Sequence, residues 1–134
     1  MDLSKTTQYA LRILSLMVND TEKMYSSDYL YRKLEIPKKY LQRLLTDLSK
    51  NGLIKSVQGR NGGFMFAKKV DIIFISDIVD AVEGFKKEPY CFFGFDTCPL
   101  DERCAMHDVW EEAQNEVIKI LSKTKLIDLK TKNI

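Results

Sequence analysis

One histidine and three cysteines are all that this 134-residue chain offers as soft or borderline metal ligands. A single imidazole excludes hydrolytic sites built on two or three histidines. There is no Cys-x-x-Cys pair for disulfide exchange and no Ser/His/Asp set for acyl transfer, so an enzyme is not expected. No stretch approaches the roughly 18 apolar residues of a membrane span, and no membrane association is expected. The first residues, Met1-Asp2-Leu3-Ser4-Lys5, lack a basic segment followed by an apolar run, so no secretory signal is expected. An odd number of cysteines cannot all pair within one chain. The expectation is reduced thiols and a cytoplasmic location. Internal repeats and low-complexity segments are missing too.

What the chain does hold is concentrated. All three cysteines and the histidine fall within 17 residues, from Cys91 through Cys98 and Cys104 to His107. Thiolate and imidazole are the ligands that iron–sulfur clusters and zinc select. Cys104 and His107 are three residues apart and share one side of a helical turn. The intervening lengths of six, five and two residues do not resemble the tight knuckles of structural zinc. The residues themselves leave three readings open: an iron–sulfur cluster, a zinc ion, or unliganded redox-active thiols. His107 reads either as a ligand or as a surface histidine. Phe92, Phe93, Phe95 and Trp110 either shield the site or simply pack the loop.

Charge is uneven. Residues 1–69 carry 13 Lys and Arg against 6 Asp and Glu, whereas residues 70–134 carry 8 against 13. The basic excess is densest between Arg32 and Lys69, which suits a polyanionic partner.

Apolar spacing predicts a helix over residues 3–19, N-capped by Ser4, with Ala10, Ile13, Leu14 and Met17 as its stripe. A second helix, capped by Ser26 or Ser27, should stop before Pro37, because the residue before proline avoids the helical region. Pro37 suits the first turn of a third helix, in which Leu41, Leu44, Leu45 and Leu48 form the inner stripe. Asn51-Gly52 signals its end. Two short apolar stretches, 53–57 and 64–67, flank a glycine-rich turn and read as a hairpin. Ser76 is expected to cap a helix over 77–83, ended by Gly84. Residues 85–103 read as a loop. A last helix runs from about 104 to 125, with Met106, Trp110, Ala113, Val117 and Ile120 as a two-heptad dimerisation seam. The tail over 126–134 is expected to fray.

The fold class is therefore mainly α with a small β-hairpin. A winged helix–turn–helix domain occupies 1–84, a cysteine-containing loop 85–104, and a dimerisation helix with its tail 105–134. In such folds the third helix enters the major groove and the wing touches the adjacent minor groove. Lys38, Lys39, Tyr40, Gln42 and Arg43 are the expected helix contacts, with Lys to phosphate and Gln42 and Arg43 to base edges. Ser27 at a helix N-terminus suits a phosphate, and Arg60 and Asn61 stand at the wing tip.

The chain resembles the Rrf-two family of bacterial winged-helix regulators, in its iron–sulfur branch typified by IscR and NsrR. The resemblance rests on Tyr40-Leu41-Gln42-Arg43-Leu44-Leu45, on Lys50-Asn51-Gly52-Leu53-Ile54 leading into Ser56-Val57-Gln58-Gly59, on Gly62-Gly63-Phe64, and on the three-cysteine loop before a long helix. It implies a homodimer crossing its last helices, a pseudo-palindromic double-stranded DNA operator, and a cluster on Cys91, Cys98 and Cys104 whose state sets DNA affinity. In IscR-like members a histidine three residues after the third cysteine completes a 2Fe–2S site, and His107 stands there. NsrR-like members use a carboxylate on the partner's first helix, where this chain has Gln8. The resemblance therefore favours 2Fe–2S over 4Fe–4S. Two departures stand out. Six residues rather than five or fewer separate the first two cysteines, and the family's basic wing residue is matched by Gln58, with Arg60 two positions on.

Overall fold

The computed structural model describes residues 3–130. Its elements run α1 (Lys5–Met17), α2 (Ser27–Leu34), α3 (Lys38–Lys50), β1 (Ile54–Val57), β2 (Gly63–Phe66), a 3-10 turn at Val70–Ile72, α4 (Ile75–Glu83), α5 (Ala105–Lys123) and a 3-10 turn at Leu126–Leu129. This is a winged helix–turn–helix followed by a long C-terminal helix, the expected class.

Local chemistry sets the boundaries. Ser4 caps α1, its Oγ accepting from the Thr7 amide at 3.1 Å. The helix is shorter than the 3–19 expected, because the polar turn after Met17 closes it early. Ser26, not Ser27, caps α2 by accepting from the Tyr29 amide. Glu35 ends α2 in the left-handed region (φ 55°), and Pro37 sits at the N-cap of α3, one position before its expected place. Gly52 (φ 76°) turns the chain out of α3. The hairpin pairs Ile54 with Phe66 through Val57 with Gly63. Tyr25 bridges the free edge of the second strand as a one-residue rung: its amide donates to Phe64 O at 2.9 Å and its carbonyl accepts from Phe64 N at 2.8 Å. This rung ties the wing to the turn before α2.

Two expectations need correcting. The fourth helix begins at Ile75, and Asp77 rather than Ser76 stabilises its start, its Oδ2 accepting from the Phe74 amide at 2.8 Å. The earlier start lets Ile73, Ile75 and Ile78 all reach the core. The tail does not fray over Leu126–Leu129. Leu126 is fully buried, and its amide donates to Ile73 O at 2.8 Å while the Ile75 amide donates to Thr124 O at 2.9 Å. A leucine with a core cavity waiting for it outweighs the polar composition around it. The remainder of the expected fraying, over 131–134, lies outside the described residues.

One continuous core joins Ala10, Ile13, Leu14 and Met17 of α1, the four leucines of α3, Ile78 and Val79 of α4, and Leu126. The inner stripes of α1 and α3 are those that the spacing predicts. Helix α5 packs on α4, yet only one of its 19 residues is buried, and that residue is polar: Gln114, 1% exposed.

Candidate functional site

Residues 85–103 contain no regular helix or strand. Their path is fixed at a few points. Gln114 binds the backbone of Tyr90 on both sides: Oε1 accepts from the Tyr90 amide at 3.0 Å and Nε2 donates to the Tyr90 carbonyl at 2.9 Å. The next residue is Cys91, whose carbonyl accepts from the Gly94 amide at 3.0 Å to close a tight turn. Gly94 has φ 84°, so glycine suits this turn. Trp110 on α5 stacks edge-on against Tyr90 and Phe92, with centroids 6.2 and 5.2 Å apart.

The loop thus curls over the start of α5 and encloses a pocket of about 340 Å³. Cys91, Cys98, Cys104 and His107 all line it, together with Trp110, Glu111 and the loop aromatics. The structure brings the four expected ligands to one cavity. All three cysteines are free thiols. Cys104 is the N-cap of α5 and makes no capping hydrogen bond with its side chain, which leaves its sulfur available. His107 follows in the first turn, its amide donating to Cys104 O at 3.1 Å. Its Nε2 lies 3.3 Å from Glu111 Oε2. A carboxylate on one ring nitrogen is the usual way to orient the other toward a metal.

The Cys91 thiol is held below its ordinary pKa, chiefly by hydrogen bonds from the Phe95 and Phe93 amides, with a smaller contribution from Gly94. Amides converging on sulfur favour thiolate, the form that binds metal. Trp110 Nε1 is buried without a hydrogen-bond partner among the described residues. A buried donor without a partner calls for an acceptor, and the ring that carries it also lines the pocket. Three thiols and an imidazole around one cavity form a donor set that fits an iron–sulfur group. A single zinc ion fits less well. Ligands at 2.0–2.3 Å from one ion would sit within about 4 Å of one another, and the one trio among the described residues gathered within 4.8 Å is His107, Asp108 and Glu111, with no cysteine.

The loop phenylalanines do not seal the pocket within one chain: Phe92, Phe93 and Phe95 are 50, 59 and 48% exposed. Gln8 lies outside it, donating to the Leu3 carbonyl at 3.3 Å.

Lys38, Lys39, Tyr40, Gln42 and Arg43 are exposed on α3, and Gln58, Arg60 and Asn61 are exposed on the hairpin turn. Ser27 is half-buried in the first turn of α2. The ammonium of Lys38 lies 4.9 Å from the Tyr31 ring centroid and that of Lys39 lies 5.0 Å from that of Tyr40, contacts that hold long side chains in place.

The expected seam on α5 divides. Ala113 and Ile120 are exposed, whereas Met106, Trp110 and Val117 are half-buried. Val109 is 57% and Ile120 54% exposed, so an apolar strip on α5 faces away from its own core. Gln114 and Glu111 escaped the sequence reading. A glutamine in an amphipathic helix looks like a solvated residue unless the backbone it meets is known.

These features define a winged-helix protein with a thiol-lined pocket at the base of its last helix. The chain belongs to the Rrf2 family, described as iron-dependent transcriptional regulators, which it matches over residues 3–132. It is 32% identical over 133 residues to the HTH-type transcriptional regulator NsrR of Halalkalibacterium halodurans, covering 98% of this chain and 91% of that one. It is 30% identical over 90 residues to the IscR regulator of Xenorhabdus nematophila, covering 67% and 54%. Its fold is similar to that of CymR, the global cysteine regulator of B. subtilis, with a TM-score of 0.81, 26% identity, and coverage of 96% and 95%. No described helix is long and apolar enough to cross a membrane.

Proposed function

We propose that this transcriptional regulator binds double-stranded operator DNA as a homodimer and that an iron–sulfur cluster on Cys91, Cys98, Cys104 and His107 sets its DNA affinity. The observation that carries the reading is the convergence of the chain's three thiols and only imidazole on one pocket. A 2Fe–2S group is favoured over 4Fe–4S by the histidine. The group would supply reversible one-electron chemistry, and an imidazole ligand raises its potential relative to thiolate alone. The chain's own residues would orient and hold it: Cys91 with its thiol pKa lowered by backbone amides, Cys104 at the head of α5, and His107 turned by Glu111. The three-part division at 84 and 104 follows these roles, and a cytoplasmic site of action is part of the proposal.

Dimerisation is supported by the apolar strip of Val109, Ala113 and Ile120, with Met106, Trp110 and Val117 flanking it. DNA contact is assigned to Lys38, Lys39, Tyr40, Gln42 and Arg43, to Ser27, and to Gln58, Arg60 and Asn61 on the wing. A pseudo-palindromic operator matches a twofold dimer. Anaerobic purification followed by iron, acid-labile sulfide and zinc analysis tests the proposal. Iron matched by sulfide, lost in Cys104→Ala together with the DNA-affinity response, is the expected result. Zinc alone, or no metal after reconstitution, overturns the cluster.

A second reading, direct thiol sensing, is favoured by the thiolate-stabilising surroundings of Cys91 and by the similarity to a cysteine regulator. It predicts a reversible disulfide or sulfenate at these cysteines with no iron bound.

A further inference from the structure

We propose that Gln114 is the positioning residue of the thiol pocket, holding Cys91 within reach of Cys104 and His107 through the backbone of Tyr90. A primary amide sunk to 1% exposure on a helix that otherwise buries no residue is an unusual choice. An apolar side chain would fill the same space without the desolvation of an amide, which costs about 1–3 kcal/mol if unpaired. Here the carbonyl oxygen and both amide hydrogens are bonded. Oε1 accepts from Tyr90 N at 3.0 Å. Nε2 donates to Tyr90 O at 2.9 Å and to Trp110 O at 3.2 Å. The paired bonds to one residue copy a β-ladder rung and fix the Tyr90 peptide groups in direction as well as distance.

Position gives this rung its meaning. Tyr90 immediately precedes Cys91, and the loop from 85 to 103 has no regular structure to hold it. Cys104 and His107 ride on the first turn of the helix that carries Gln114. One side chain therefore sets the register between the loop-borne thiol and the helix-borne pair. The same bonds place Tyr90 and Phe92 against Trp110, whose indole Nε1 is buried without a partner among the described residues.

The inference takes its redox readout from the cluster reading and a separate readout from the metal-free chain. The full-length protein is compared with Gln114→Met, which keeps volume without polarity, and Gln114→Glu, which keeps the acceptor and loses the donor. In the reduced, metal-free state, amide exchange at Tyr90 is expected to accelerate about tenfold in Gln114→Met, with the α5 amides unchanged. After anaerobic reconstitution, iron loss to a chelator is expected to be about tenfold faster than in the wild type, with a shifted reduction potential. Gln114→Glu should fall between. Wild-type exchange at Tyr90 in Gln114→Met overturns the proposal. So does a loss of protection along the whole of α5, which would mark a general packing role. If the wild type takes up no iron, the cluster reading fails, and the exchange result alone still decides the role of Gln114.

Discussion

Alanine at Gly62 tests the wing most sharply. Gly62 has ordinary backbone angles, so the substitution brings no conformational penalty of its own. A Cβ there would collide with the Val57 carbonyl oxygen and lie 3.0 Å from the carbonyl carbons of Val57 and Gln58. These are backbone atoms of the opposing strand and cannot rotate aside. Relief requires opening the Val57–Gly63 rung and the turn bond from Gly62 N to Gly59 O. Two backbone hydrogen bonds contribute about 0.5–1.5 kcal/mol each, and residual overpacking costs about 1–3 kcal/mol. The sum, about 2–6 kcal/mol, is a large part of a typical stability of about 5–15 kcal/mol and corresponds to a melting-temperature drop on the order of 10 °C. Gly52→Ala is the control. Its Cβ meets nothing, and only the left-handed φ of 76° resists it, at about 1–2 kcal/mol. Circular-dichroism melts report stability. Fluorescence anisotropy with a mixed-sequence duplex at low salt reports the wing, because Arg60 and Asn61 sit on the displaced turn. Gly62→Ala melting within about 2 °C of wild type with unchanged DNA affinity would refute the steric argument.

Leu126→Ala should destabilise by about 2–5 kcal/mol, read as an equivalent fall in the urea midpoint at unchanged m-value. A near-neutral result would mean that the tail is not docked. Lys39→Ala should weaken binding to any duplex and flatten the slope of log affinity against log salt by about 1.8, since each dimer loses two phosphate contacts. An unchanged slope would remove Lys39 from the phosphate contacts. In the reduced, metal-free protein Cys91 should alkylate faster at pH 7.5 than the same residue in the urea-unfolded chain. Its lowered pKa gives it a larger thiolate fraction than an ordinary cysteine at the same pH. The ratio of the two rates should be largest at low pH, where both rates are slow, and shrink toward one as the pH rises past the ordinary cysteine pKa. Equal rates at pH 7.5 would contradict the converging amides.

Where a single local rule governs, the sequence was easy to read. The leucine stripe of α3 needs only a 3.6-residue period, and Gly62-Gly63 needs only the geometry of a tight turn. Ser4 as a cap is a local hydrogen bond. Features that depend on a distant partner were not visible. Asp77 displaces Ser76 because the start of α4 is set by the isoleucines that must reach the core. Leu126 sits in a lysine- and aspartate-rich stretch and reveals its role only beside Ile73. The pocket was legible as an inventory, since four ligand-type side chains crowd into 17 residues. Its support was not, because Gln114 and Glu111 matter only through the backbone of Tyr90 and the ring of His107.

The burial of Leu126 also bears on the order of synthesis. A winged helix whose core includes a side chain from residue 126 is left with an open hole while its first eighty-odd residues emerge. The nascent DNA-binding unit waits for the helix and its final turn before it can close. Folding in this chain is therefore a late, long-range event of the kind that raises contact order and slows the search. One side effect follows: by the time the reading head is rigid, the thiol loop, which lies between its two halves in the chain, has already been made.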